Sequence, residues 1–270
     1  MPAPGYKVRM AHAFETPVLE RLPPSLPGLR HALSTRHGGA SEGAFSTLNL
    51  GYHVEDDPVR VTENRRRFAA AAGYAPETLI TAQQVHGARL AWVGRADRGC
   101  GALDWASAVP ETDGLLTAEP GVPVAILVAD CAAMLIADPV RRALALVHAG
   151  WRGALDRIAS AAVRALAEAG SRPEDLRVGI SPTLCPACLE VSDEIGAAVA
   201  AEFGEAVIDF REKPHLRIHA MLAADLAGAG VSPAQIAAHP DCTRCRTDKY
   251  FSHRGQDGRA GRLALVAWWD

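Results

Sequence analysis

Apolar runs of strand length alternate with longer, partly polar segments along most of this 270-residue chain. The clearest run, Pro123–Ala129, is continuously apolar, which is typical of a strand that is buried on both faces. A segment with a strand-turn-strand pattern precedes it, and several shorter apolar runs follow it. These further predicted strands are Leu79–Val93, with His86-Gly87 at its turn, Ala133–Ala137, Arg142–Val147, Arg177–Ile180 and Arg262–Trp268.

Helical segments lie before and between these strands. The predicted helices are Pro58–Ala72, Gly153–Ala169 (ended by Gly170), Ser192–Phe203 and Ile218–Ala229. No repeat, linker or shift in composition divides the chain, so one α/β domain over residues 1–270 is the simplest interpretation. The proline-rich residues 1–30 are predicted to form an irregular arm that could include one short strand.

The composition is that of an ordinary globular protein, with 49% hydrophobic and 22% charged residues. The chain has 28 Lys and Arg against 31 Asp and Glu. It therefore lacks the excess of basic residues that is typical of nucleic-acid-binding proteins, and we expect no nucleic acid as a partner. The sequence shows neither a signal-peptide pattern nor an apolar run that could span a bilayer, so we expect a cytoplasmic protein without a membrane partner. Six cysteines are too few for a disulfide scaffold, and the oligomeric state stays open.

Three side chains that could bind a metal lie next to predicted strand ends or turns. His86 lies in QVHG, Cys131 in ADC and His148 in HAGWRG. Ligands of open α/β sheets bind at strand ends, so we expect these side chains at the rim of a sheet. Two histidines and one cysteine form a three-ligand zinc set with an open fourth position, as in catalytic sites. Their spacing matches no compact ligand motif, so a structural role for each residue is the alternative.

Two C-x-x-C pairs, Cys185–Cys188 and Cys242–Cys245, could also indicate a zinc site. Their separation far exceeds the roughly 15–20 residues usual between such pairs, which favours ordinary reduced thiols. His53-Val54-Glu55 together with a later C-x-x-C imitates a zinc-deaminase signature. That signature has a proline directly before its C-x-x-C, whereas Leu184 and Asp241 stand there, so we interpret the match as accidental.

An ordered set of motifs extends over nearly the whole chain, from about Ser34 to Arg262. In chain order they are STRHGG, LNLGYHVEDDP, ENR, QVHG, TDGLLT, ADC, HAGWRG, CLEV, CT and YFSHR…GR. The set resembles the YfiH/laccase-domain family, also called multicopper polyphenol oxidase-like. The resemblance implies a single-domain four-layer α-β-β-α sandwich with mixed sheets. It also implies one Zn²⁺ ion bound by His86, Cys131 and His148.

The same resemblance implies a purine nucleoside phosphorylase that acts on adenosine, inosine, guanosine and methylthioadenosine, with adenosine deamination in the same site. Purine nucleoside and phosphate are therefore the expected partners. The alternative is a copper-dependent polyphenol oxidase, although one cysteine and two histidines do not supply the many ligands of a multicopper centre. A non-catalytic role in envelope processes is a third possibility. Ala133, Leu189 and Gly255 depart from the usual family residues, which puts the substrate preference in doubt.

Three arginines are candidates to bind the phosphate: Arg36 in a Gly-, Ser- and Thr-rich loop, Arg152 in HAGWRG, and Arg254. For each of them, a structural ion pair or a solvated side chain is the alternative. Asn49 and Asp113 could contact the ribose or could cap turns. The metal ligands His86, Cys131 and His148 are the main candidates for catalytic roles. Proton transfer could in addition involve a histidine or Asp130, which lies beside Cys131 in the ADC motif.

Overall fold

The computed structural model describes residues 16–270, so residues 1–15 of the predicted arm lie outside the described part. Strands β1–β12 span Leu19–Glu20, Leu29–Ser34, Leu90–Trp92, Gly114–Thr117, Val124–Val128, Ala132–Asp138, Ala143–Ala149, Arg177–Ile180, Ile208–Phe210, Pro214–Leu216, Ile236–Ala238 and Leu263–Trp269. Helices α1–α5 span Pro58–Ala72, Trp151–Leu155, Ile158–Glu168, Asp193–Phe203 and Ile218–Gly228. Among the described residues, no helix combines the length and apolarity needed to cross a membrane.

Two large sheets organise these strands. The smaller is antiparallel, with the order β1-β2-β12-β5, and the larger has the order β11-β8-β6-β7-β4-β3. The larger sheet is mixed, because its central pairs are antiparallel whereas β11 with β8 and β3 with β4 at its edges are parallel. Strands β9 and β10 form a separate antiparallel pair. The mixed character is the one that the family resemblance implies.

Alternate residues of the central strands enter different cores. Leu135, Ile126 and Leu265 pack together between the two large sheets. Neighbouring residues on the same strands face outward: Met134 packs among residues of α3 and α5, while Val266 packs with α1. Both faces of each sheet are covered, and the central strands are therefore continuous apolar runs in the sequence. The layers are helix, sheet, sheet, helix, which confirms the predicted α-β-β-α sandwich.

Two predicted elements differ from the structure. The predicted helix Gly153–Ala169 is two helices, because Arg157 between them adopts a left-handed conformation with φ of 58°. The predicted strand-turn-strand of Leu79–Val93 contains only one strand, β3. Its first half makes isolated bridges from Ile80 to β5 and from Ala82 to Val109, and such changing partners cannot build a continuous ladder.

The register of the strands brings several candidate site residues together at one edge of the larger sheet. The antiparallel pairing of β6 with β7 sets Ala132 opposite Ala149. Cys131, directly before β6, therefore lies near His148 at the end of β7. Gly114, the first residue of β4, pairs with Val147, and this brings Asp113, directly before β4, to the same edge. This confirms the expectation that the metal-competent side chains lie at a sheet rim.

The packing between the two sheets predicts how much the free energy of unfolding falls when a side chain between them is truncated. Leu135 is fully buried there, so Leu135→Ala is expected to lower the free energy of unfolding by about 2–5 kcal/mol. Val140 is 68% exposed in the turn after β6, so Val140→Ala should change it by less than about 0.5 kcal/mol. Chemical denaturation monitored by circular dichroism checks both values. Equal effects of the two variants would contradict the assigned inner core.

Candidate metal centre

His86, Cys131 and His148 converge at the rim of the larger sheet. Their ligand atoms all lie within 4.8 Å of one another. The two imidazole rings are 4.8 Å apart between centroids and nearly perpendicular, at 78°. His148 is buried, Cys131 is half-buried and His86 is exposed. Three ligands that close one side and leave the other side accessible form the arrangement typical of a catalytic metal site.

Asp113 orients this cluster. Its Oδ1 atom accepts a hydrogen bond from Nδ1 of His148 at 2.7 Å. Its two carboxylate oxygens also accept the backbone N–H groups of Val85, His86 and Gly87, at 2.9–3.1 Å. A carboxylate can only accept here, so Nδ1 of His148 carries the proton and Nε2 is the available ligand atom. Asp113 therefore positions the ligands, in line with the turn-capping alternative considered for it.

The backbone around the ligands is shaped for close approach. His86 lies in the left-handed region with φ of 64°, which is unusual for a residue with a side chain; the three hydrogen bonds to Asp113 hold this turn. Gly150 allows the β7 end to approach the thiol, since a Cβ atom there would lie 2.9 Å from Sγ of Cys131. A larger residue at position 150 would enter the space that the cluster uses.

The charges of the cluster favour the ligand form of the cysteine. Burial alone would raise the pKa of Cys131, but the charge and hydrogen bond of His148, together with those of His86, lower it to about 6. Burial alone would lower the pKa of His148, but Cys131 and Asp113 raise it to about 9. A cysteine binds metals as the thiolate, so the donor set fits a divalent cation that replaces the proton on His148.

A cavity of about 480 Å³ opens over the three ligands, which is a size usual for small-molecule sites. Of the predicted substrate-binding residues, Arg152 and Arg254 line it. The Arg152 guanidinium lies 4.2 Å from the ring centroid of Trp151. The structure thus brings two predicted phosphate ligands to the same cavity as the metal cluster.

Arg36 and Asn49 have other contacts. The Arg36 guanidinium donates to the carbonyl oxygens of Ser46 and Thr247 at 2.9 and 2.7 Å. The Asn49 side chain is buried, where it donates to Asp56 and accepts the backbone N–H of Arg262. Neither residue lines the cavity. Both side chains hold loops together in the structure, and substrate binding by either stays a prediction.

Asp130 lies in the cavity wall with its carboxylate occupied. Its Oδ1 atom accepts the hydroxyl of Thr243 at 2.6 Å, and its Oδ2 atom accepts the backbone N–H of Arg254, also at 2.6 Å. These contacts tie the ADC turn to the segment that holds Arg254. They favour a positioning role over the proton-transfer role considered for Asp130.

The polar and aromatic lining residues that were not among the predicted site residues include His53, Gln84, Trp105 and Arg262. The rings of His53 and Trp105 lie 4.8 Å apart. Burial and the nearby positive charges of Arg262 and Arg65 lower the pKa of His53 to about 4, so this imidazole is neutral at pH 7. His53, Gln84 and Arg262 belong to or adjoin motifs of the family resemblance, which could have indicated them, whereas Trp105 carries no such signal.

Comparison with known proteins finds a matching family and similar proteins. A family model described as multi-copper polyphenol oxidoreductase laccase matches residues 30–270. Purine nucleoside phosphorylase YlmD of Geobacillus stearothermophilus is 35% identical over 254 residues, covering 89% of this chain and 90% of that protein. A purine nucleoside phosphorylase of Deinococcus radiodurans is 36% identical over 252 residues, covering 90% of this chain and 93% of that protein.

Solved structures agree with these matches. The crystal structure of YlmD from Geobacillus stearothermophilus has a TM-score of 0.87 at 36% identity, covering 90% of this chain and 93% of that chain. That of the Bacillus licheniformis hypothetical protein YfiH also has a TM-score of 0.87, at 30% identity, covering 90% of this chain and 94% of that chain. The fold and the His-Cys-His cluster define a laccase-like α-β-β-α protein. The chain belongs to the multi-copper polyphenol oxidoreductase laccase family, the laccase-like YfiH family, as the motif resemblance predicted.

Asp113→Asn tests how far the metal cluster depends on its buried carboxylate. The amide cannot accept at both oxygen positions, so the His148 ring and the 85–87 turn lose their common support. Loss of such an outer partner typically weakens metal affinity about 10–100-fold, which competition with a chromophoric chelator measures. The exposed Glu111→Gln removes a nearby charge and should leave the affinity unchanged. Equal affinities of Asp113→Asn and the parent protein would contradict the assigned role.

Proposed function

We propose that this chain is a zinc-dependent purine nucleoside phosphorylase that cleaves adenosine, inosine, guanosine and methylthioadenosine, and that also deaminates adenosine. The observation that carries the proposal is the His86–Cys131–His148 cluster in a cavity that Arg152, Arg254 and Arg262 also line. The names of the relatives from Geobacillus and Deinococcus support the reaction class. A cytoplasmic location, with purine nucleoside and phosphate as partners, completes the proposal.

Zinc is the metal that we assign to the cluster. Thiolate and imidazole together suit Zn²⁺, which commonly has three protein ligands and one open position in catalytic sites. When bound, zinc supplies a Lewis acid that lowers the pKa of water toward about 7, the chemistry that deamination at purine C6 requires. The residues of the chain supply binding and orientation around it.

Phosphorolysis makes different demands on the cavity. A phosphate oxygen attacks C1′ of the ribose, the bond from C1′ to N9 breaks, and the departing purine takes up a proton. The guanidinium groups of Arg152 and Arg254 would hold the phosphate and offset its charge. Within residues 16–270, the contacts of the Arg254 guanidinium are long, 3.5 Å to the Glu190 carbonyl, which leaves its donors available to a phosphate. The His53–Trp105 pair offers ring surfaces against which a purine can pack.

Copper-dependent phenol oxidation is the second candidate, because the family description names it. A multicopper centre needs several groups of histidines in addition to a cysteine. Among residues 16–270, one cluster combines histidine with cysteine, and the other cluster of possible metal ligands consists of cysteines alone. The available ligands therefore favour one zinc ion at the His-Cys-His cluster over a multicopper centre there.

Cys131→Ala tests the proposed activity. Removal of a ligand should lower metal occupancy and reduce hypoxanthine release from inosine and phosphate by more than the roughly 100-fold that outer partners cost. Cys100→Ala, a cysteine outside both clusters, should keep metal and activity. Circular dichroism verifies that both variants fold. Copper-dependent oxidation of a phenolic dye by the parent protein, without hypoxanthine release, would support the second candidate instead.

Arg254→Gln tests the phosphate site. Loss of a charge-assisted hydrogen bond of about 1.5–3 kcal/mol should raise KM for phosphate roughly 10- to 150-fold, while KM for inosine changes much less. Arg30→Gln, which removes an exposed guanidinium paired with Asp270, should leave both constants unchanged. Steady-state kinetics with phosphate as the varied substrate provide the measurement. An unchanged KM for phosphate in Arg254→Gln would exclude this residue as a phosphate ligand.

A further inference from the structure

A second group of possible metal ligands lies beside the cavity. It consists of the four thiols of both C-x-x-C pairs, here called the four-cysteine cluster: Cys185, Cys188, Cys242 and Cys245. Their Sγ atoms all lie within 4.8 Å of one another, although corresponding members of the pairs are 57 residues apart in sequence. The separation in sequence favoured ordinary reduced thiols, and all four are free cysteines in the structure, yet they lie close together, as the alternative of a zinc site requires.

Backbone pairing brings the two segments into register. Thr183 forms a parallel bridge with Cys242, and the backbone N–H of Thr243 donates to the Thr183 carbonyl at 3.0 Å. Each pair then turns tightly: the Cys188 N–H donates to the Cys185 carbonyl, and the Arg246 N–H donates to the Cys242 carbonyl. Two tight C-x-x-C turns side by side are the arrangement of a tetrahedral Cys₄ metal site.

A backbone N–H group points at one sulfur of the cluster. The Cys185 N–H donates to Sγ of Cys242 at 3.2 Å. Hydrogen bonds of this kind stabilise a thiolate more than a neutral thiol, because an ionised acceptor binds the donor more strongly. A cluster of thiolates needs such support together with a bound cation.

The sulfur separation fits a metal better than a disulfide. Sγ of Cys188 and Sγ of Cys245 are 3.6 Å apart. A Zn–S bond of about 2.3 Å in tetrahedral geometry places its sulfurs roughly 3.8 Å apart, whereas a disulfide needs about 2.05 Å. We propose that the four-cysteine cluster binds a structural zinc ion, in addition to the metal of the His-Cys-His centre.

The four-cysteine cluster lies next to residues that form the cavity wall, which indicates a structural role for a zinc ion bound there. Leu184 and Leu189 adjoin the first pair and line the cavity. Thr243, inside the second pair, donates its hydroxyl to Asp130 at 2.6 Å, and Asp130 also accepts the N–H of Arg254. A zinc ion that crosslinks the pairs therefore fixes the cavity wall on the side of the proposed phosphate ligand.

Metal content of the parent protein is the first test. Protein expressed in zinc-supplemented medium and purified without chelator should contain two zinc ions per chain by elemental analysis. Replacement by cobalt should add the intense visible and near-ultraviolet bands of tetrahedral thiolate coordination, which one cysteine ligand alone produces only weakly. These readouts need neither variants nor enzyme activity.

Matched variants assign each ion to its site. The double variant Cys188→Ser/Cys245→Ser should lose one zinc and keep the other, and its thermal transition should fall. Cys131→Ala should lose the other zinc and keep the thiolate bands of cobalt. Cys100→Ser should keep both zinc ions and the parental transition. Because the two sites lose their ions separately, failure of this proposal and failure of the proposed function are distinguishable.

Four results would overturn the second zinc site. The first is one zinc per chain together with four reactive thiols beyond Cys100 and Cys131, and the second is the mass loss of two hydrogens that marks a disulfide between the pairs. The third is iron instead of zinc in the four-cysteine cluster, and the fourth is retention of two zinc ions by the double variant. If the double variant does not fold, zinc content and the cobalt spectrum of the parent protein decide the question.

Discussion

The buried carboxylate of Asp113 is the interaction on which the metal centre depends. It accepts the His148 ring and three successive backbone N–H groups of the 85–87 turn, while its own backbone carbonyl accepts the His148 N–H at 2.7 Å. Burial alone would raise the pKa of Asp113, but the hydrogen bonds from His148, Gly87 and Val85 outweigh it and hold the pKa below its usual value. One charge thus fixes both the His148 ring and the turn that carries His86.

The fold makes this arrangement possible because it covers both faces of the larger sheet. Inner residues such as Leu135 pack against the second sheet and outer residues such as Met134 pack against helices. Strands held from both sides cannot shift by one residue without exchanging their two cores. The register that sets Ala132 opposite Ala149 is therefore fixed by packing, and the site at the sheet edge inherits its precision from apolar contacts far from the metal.

The sequence predicts elements well where local signals agree. Helix Pro58–Ala72 has the predicted bounds because Asp57 caps it and Gly73 ends it. The break at Arg157 has no such signal, since its neighbours on both sides favour a helix. The hydrogen bond from His148 to Asp113 and the position of Trp105 in the cavity wall were out of reach, because both depend on contacts between segments distant in sequence. Motif resemblance supplied the proposed ligand set, which residue spacing alone left open.

The two clusters lie in or beside the same cavity, and they differ in what orders the chain around them. His148 stands on β7, Cys131 directly precedes β6 and His86 lies on a turn fixed by Asp113, so the sheet itself orders that part of the cavity. Another part of the cavity wall comes from the irregular segments around 183–189 and 242–254, which have few backbone ladders. Irregular segments keep much conformational freedom unless a crosslink removes it. The four-cysteine cluster lies where these two segments meet, so a bound ion there would order the wall that the sheet does not reach.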